Sequence, residues 1–129
     1  MKLRIRGNSL RLRLTRSEVS RLDESARVEE MIEFGPEPHQ RLRYAIESST
    51  DTSEITVSYD DGRILVQVPR SAVRQWSETD QISLGGEQPL AGNAKLSLLV
   101  EKDFACLTGR EGDEDADAFP HPMEGMLKC

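Results

Sequence analysis

Arg4, Arg6, Arg11, Arg13 and Arg16 crowd the first sixteen residues of the chain. A guanidinium is a planar, permanently charged fork. It bridges phosphate oxygens bidentately or reaches a guanine edge in a groove. Several of them on one surface would form a phosphate-binding face whose affinity falls with salt. Arg4 and Arg6 alternate with Leu3 and Ile5, and Arg11 and Arg13 with Leu10, Leu12 and Leu14. Period two means strand, and Gly7-Asn8-Ser9 between the runs means a tight turn, so the arginines stand on a β-hairpin. The plain alternative is that alternate residues of a half-buried hairpin face water, where arginine is common and guards strand edges.

The opposite end of the chain has the opposite charge. Residues 1–27 carry +5, residues 104–129 carry −4, and the whole chain carries −6. The stretch EGDEDADAFPHP, residues 111–122, is rich in acids and poor in apolar residues, so it should not fold alone. Asp113, Asp115, Asp117 and Phe119 are candidates for docking a basic protein partner, with Phe119 as the anchor. A solvated tail, or a tail that covers the basic hairpin of its own molecule, would explain the same charge asymmetry.

Other chemistry finds less support. Cys106, His121 and Cys129, with Asp113, Asp115 or Asp117, could ligate zinc, but no C-x-x-C or H-x-x-x-H spacing exists. No Ser-His-Asp set, P-loop or dinucleotide fingerprint is present, so neither an enzyme nor a cofactor is expected. His39 falls in a Pro-rich loop and reads as a surface residue. Arg and Glu alternate on several strands, as a tunnel for phosphorylated ligands would require, but 129 residues leave little room for one. The N-terminus has no apolar leader and no run of 18 apolar residues occurs, so a cytoplasmic protein with reduced thiols and no membrane contact is expected.

The elements that must position these residues follow from the same periodicities. After the hairpin, Thr15-Arg16-Ser17-Glu18 forms a capping box, which starts a helix ending near Ser25. Strand character resumes over Val28–Phe34 and again over Leu42–Glu47, with Gly35-Pro36-Glu37-Pro38 as the loop between. From residue 55 the pattern repeats. Ile55, Val57 and Tyr59 alternate, Asp61-Gly62 marks a turn, and Ile64, Val66 and Val68 alternate. Pro69 then suits the start of a helix carrying Val73 and Trp76. Ile82 and Leu84 begin a strand that Gly85-Gly86 should loosen, and Leu96, Leu98 and Val100 alternate last.

The two passes coincide when shifted by 54 residues without a gap. Leu10, Leu12 and Leu14 fall on Ile64, Val66 and Val68, Leu22 falls on Trp76, and Tyr44 falls on Leu98. The chain therefore reads as two ββαββ repeats, 1–50 and 55–103, forming one domain, followed by the acidic tail 104–129. Each repeat is too small to bury its own apolar faces, so the two should share one core about a pseudo-twofold axis.

The first repeat resembles the AbrB/MazE/SpoVT family of swapped-hairpin DNA-binding domains. The matching residues are Arg6, Gly7-Asn8-Ser9, Arg13-Leu14-Thr15, and Ser17-Glu18-Val19 with Leu22. In the second repeat, Val68-Pro69 followed by Arg70-Ser71-Ala72-Val73 matches the Ile-Pro-then-helix part. The resemblance implies hairpins interlocked into a small barrel, here within one chain. It also implies DNA contacts through Arg4, Arg6, Arg11 and Arg13, with Asn8 and Ser9 at the turn and Arg16 beyond. Its antitoxin members bind a basic toxin through an acidic tail. Two departures stand out. Thr15 replaces the family's proline, and Arg4, Arg6, Arg11 and Arg13 fall on Ser58, Asp60, Leu65 and Gln67 in the second hairpin.

The expected fold is α+β, mostly β: a pseudo-twofold swapped-hairpin barrel with an irregular acidic tail. The expected function is a small DNA-binding regulator, monomeric or homodimeric, working through the first hairpin on double-stranded DNA. The alternative is an antitoxin-like or adaptor-like protein-interaction module working through the tail.

Overall fold

A computed structural model describes residues 1–104 and 117–119. The first hairpin is β1 (Lys2–Arg6) and β2 (Ser9–Leu14), joined at Gly7, whose φ is +53°. Helix α1 (Arg16–Ser25) starts where its capping box predicts. The Thr15 hydroxyl accepts from the Glu18 amide at 3.4 Å, and the Glu18 carboxylate accepts from the Thr15 amide at 2.9 Å. The half ends with β3 (Arg27–Glu33), a short 3-10 turn (Pro38–Gln40) and β4 (Arg41–Ser49). The second half repeats this order as β5 (Thr56–Asp60), β6 (Arg63–Pro69), α2 (Arg70–Glu78), β7 (Ser83–Pro89) and β8 (Lys95–Lys102). Among the described residues the fold is mostly β with two α-helices, as the alternating pattern predicts.

The strands form two four-stranded sheets, ordered β1-β2-β8-β7 and β3-β4-β6-β5. Each sheet joins an antiparallel hairpin from one half of the chain to an antiparallel pair from the other. The joints are parallel: Leu12 lies opposite Val100 across β2–β8, and Ile46 opposite Val66 across β4–β6.

One core lies between the sheets. Leu10, Leu12, Leu14, Leu98 and Val100 face Val28, Ile46, Val66 and Val68. Val19 and Leu22 of α1 and Val73 and Trp76 of α2 close one end of it. Trp76 is fully buried, and its indole N–H donates to the Ile82 carbonyl at 3.0 Å, so its one polar atom is satisfied. Arg74 ties the helices together through Asp23 at 3.0 Å. At the opposite end the inward-facing positions nearest the turns, Ile5, Ile32 and Tyr59, remain exposed.

Polar side chains link the sheet edges. The Gln88 amide bonds both backbone groups of Val57, joining β7 to β5. On the other flank the Met1 ammonium pairs with Glu18 and with Glu30, the latter at 3.1 Å, and the Tyr44 hydroxyl donates to Glu30 at 3.0 Å. Burial, and next the Glu30 carboxylate, push the Tyr44 phenol above its usual range.

Two local expectations shift. Pro69 does not open α2 but closes β6, in register with Ser49, and stands immediately before the helix. Gly85 and Gly86 do not loosen β7, which runs straight through them. A Cβ on Gly86 would approach the Ile55 side chain to 2.8 Å, so a close packing contact explains the missing side chain there.

Candidate nucleic-acid interface

Across the first hairpin Lys2 lies opposite Arg13, Arg4 opposite Arg11, and Arg6 opposite Ser9. Residues directly opposed in an antiparallel pair point to the same side of the sheet. All five cations therefore share the outer face, with the leucines of β2 buried beneath. Strand β8 extends that face with Ser97, Leu99 and Glu101, in register with Ser9, Arg11 and Arg13. Lys2 was not singled out from the sequence, although its alternation with Arg4 places it on the same side.

The face is graded in charge compensation. Glu101 holds Arg13 through Nε at 3.0 Å and Nη2 at 2.9 Å, and Arg11 approaches it at 3.8 Å. Lys2 lies 3.5 Å from buried Asp103. The guanidinium groups of Arg4 and Arg6, nearer the turn, have no hydrogen-bond or ion-pair partner among the described residues. Compensation is thus greatest at the helix end of the hairpin and least at its tip. The corresponding strand of the second half offers Thr56, Ser58 and Asp60 where the first offers Lys2, Arg4 and Arg6.

Asn8 and Ser9 shape the turn. Asn8 donates through its side chain to the Lys95 carbonyl, and its own carbonyl accepts from the Ser97 amide at 3.1 Å. The Ser9 hydroxyl donates to the Arg6 carbonyl at 2.6 Å. The two Asn8 bonds fasten the tip of the first hairpin to the start of β8, and the Ser9 bond closes the turn back onto Arg6.

Arg16 has a different setting. It opens α1, and its guanidinium lies 5.7 Å from the centre of the Phe119 ring. Phe119 also receives Lys102 at 5.0 Å and meets Phe104 edge-on at 5.9 Å. Asp117 sits at the start of α1. Its carbonyl accepts from the Arg16 amide at 2.9 Å, and its carboxylate accepts from the Ser17 amide at 3.1 Å and from the Ser17 hydroxyl. A carboxylate is favoured there by the exposed amides and the helix dipole. The Ser17 hydroxyl does most to hold the Asp117 carboxyl below the usual aspartate range. Asp117 and Phe119 are therefore engaged within the chain. Asp113 and Asp115 lie outside the described residues, as do Cys106, His121 and Cys129. His39 is exposed in the 3-10 turn.

Lys102 is the buried cation of this region. Its ammonium donates to the Thr79 carbonyl at 2.9 Å, and burial pushes its pKa below the usual lysine range. The alternation of β8 assigns it to the inner face, which is where it lies. Its contact with Phe119 joins residues far apart in sequence and carries no local signal.

No helix among the described residues is long and apolar enough to cross a membrane. The chain belongs to a family of unknown function, DUF7009, whose model matches residues 1–123. No curated protein and no solved structure matches it.

Proposed function

We propose that this chain is a small, non-enzymatic DNA-binding regulator, built from two swapped-hairpin repeats of the AbrB/MazE/SpoVT kind, that meets duplex DNA with β1 and β2. One observation carries the reading: Arg4 and Arg6 stand uncompensated among the described residues, on the same face as Arg11, Arg13 and Lys2. Like charges directly opposed across strands, as Arg4 and Arg11 are, cost stability unless an anion offsets them. A row of phosphates supplies that anion, and each neutralised phosphate releases a counterion. Two further features support the reading: each sheet is completed by strands from both halves of the chain, and the Asn8 tip is hydrogen-bonded to the start of β8.

The competing module would bind a basic protein through Asp113, Asp115, Asp117 and Phe119. It would have to release Asp117 and Phe119 from α1 first, which weighs against it.

Anisotropy of a labelled mixed-sequence duplex, titrated at two salt concentrations, tests the proposal. Binding is expected to weaken steeply with salt. Replacing Arg4 and Arg6 together with serine should lower affinity and reduce the salt slope by about two. Absence of binding at low salt would retire it.

A further inference from the structure

We propose a second anion site, on the outer face of the other sheet, in which Arg43 and Arg63 clamp a phosphate group. Arg43 of β4 and Arg63 of β6 lie directly opposite one another across the parallel joint between the two halves. Neighbouring strands are about 4.8 Å apart. The two arginines thus leave the outer face from adjacent positions, and neither guanidinium has a hydrogen-bond or ion-pair partner among the described residues. The other strand arginines that lack one are Arg4 and Arg6. Arg27 has Glu29 and Glu47, Arg41 has Glu33, and Arg11 and Arg13 share Glu101.

The surroundings suit a compact anion. A shallow hollow of about 520 Å³ is lined by Glu29, Glu30, Met31, Arg43 and Arg63. Its two carboxylates are engaged elsewhere: Glu29 holds Arg27 at 3.0 Å, and Glu30 holds the Met1 ammonium and the Tyr44 hydroxyl. Asp60 is the register neighbour of Arg63 but forms no ion pair with it. The clamp is also positioned. The Arg43 amide donates to the Gly62 carbonyl at 2.8 Å, which pins the turn preceding Arg63 onto β4.

Under the 54-residue shift Arg63 corresponds to Ser9 and Arg43 to Ser97. On the first sheet those two serines share a row with Arg6. The last outward row before the turns therefore carries free arginine on both sheets, drawn from different positions. A comparison of hairpin with hairpin misses this, because Arg43 comes from the strand pair of the first half. The site does not depend on the DNA reading, and its phosphate could belong either to a phosphorylated small molecule or to a nucleic-acid backbone.

Thermal unfolding of the whole chain with pyrophosphate, matched to chloride at equal ionic strength, is the test. The midpoint should rise with pyrophosphate for the native chain and for the Arg4→Ser/Arg6→Ser variant. That rise should vanish in Arg43→Ser and in Arg63→Ser. A native midpoint indifferent to pyrophosphate, a shift retained in Arg43→Ser, or a shift lost equally in Arg4→Ser/Arg6→Ser would overturn the site. Duplex DNA separates the sources. Several-fold weaker DNA binding by Arg43→Ser assigns the phosphate to a backbone. Unchanged DNA binding with pyrophosphate binding lost assigns it to a small molecule.

Discussion

The side chain of Gln88 acts as a one-residue strand for Val57: its amide oxygen accepts from the Val57 N–H at 2.8 Å and its amide nitrogen donates to the Val57 carbonyl at 3.0 Å. Val57 lies on an edge strand, and these two groups would otherwise be left without a partner. Gln88→Ala is expected to cost about 1–3 kcal/mol in urea unfolding, the usual penalty for stranding part-buried backbone groups. It also reopens two sheet edges, so the variant should associate at concentrations where the native chain does not. Size-exclusion chromatography beside the urea curve reads both effects.

Glu101 sets how much of the basic face is available. Glu101→Gln keeps the side chain's shape and removes the charge that holds Arg13 and attracts Arg11. If that face binds DNA, affinity should rise several-fold and the salt slope should steepen by about one for each cation released. An unchanged slope would place Arg11 and Arg13 away from the phosphates.

Asp117 predicts an acid-side signature. Its carboxyl titrates below the usual range when folded, chiefly through the Ser17 hydroxyl. A depressed aspartate contributes stability that is present above about pH 3.9, the unfolded value, and is lost as pH falls through the folded one. Asp117→Asn should therefore unfold at a lower temperature than the native chain at pH 7, and the gap should close as pH drops below about 4. A gap that stays constant down to pH 2 would mean that the carboxylate's charge is irrelevant at the helix start.

What the sequence made legible was local. Alternation in Leu10-Arg11-Leu12-Arg13-Leu14 gave both the strand and the side each residue faces. Thr15 and Glu18 gave the start of α1 to the residue. Alternation names a face but not the neighbouring strand, so the pairing of β2 with β8 and of β4 with β6 was not readable. Everything that depends on that pairing was hidden with it: Glu101 beside Arg13, Arg43 beside Arg63, and Gln88 reaching Val57. Asp117 and Phe119 read as residues that dock a partner, face solvent or cover the basic hairpin, because nothing nearby in the chain indicates that α1 receives them.

Gly62 offers a contrast with Gly7. Both have positive φ, at +73° and +53°, but a Cβ on Gly62 would lie 3.0 Å from the Arg41 carbonyl, whereas one on Gly7 would meet nothing within 4 Å. Alanine at either position incurs left-handed strain of about 1–2 kcal/mol. Only at Gly62 does it also push the turn off β4. Gly62→Ala should therefore be the more destabilising of the two in chemical unfolding. It should also weaken pyrophosphate binding, by displacing Arg63 from Arg43, while Gly7→Ala leaves it intact.

The parallel joints also govern when the protein can fold. Residues 9–14 find their second β-partner at 97–102, so the first sheet has no complete core until nearly the whole of the described chain is available. The first hairpin and α1 leave the ribosome before residues 97–102 and must wait for them, with the leucines of β2 uncovered. Contacts this distant in sequence slow the search for the native state and lengthen exposure to aggregation. Refolding of the intact chain should accordingly be slow for its size, and neither half should hold its structure alone.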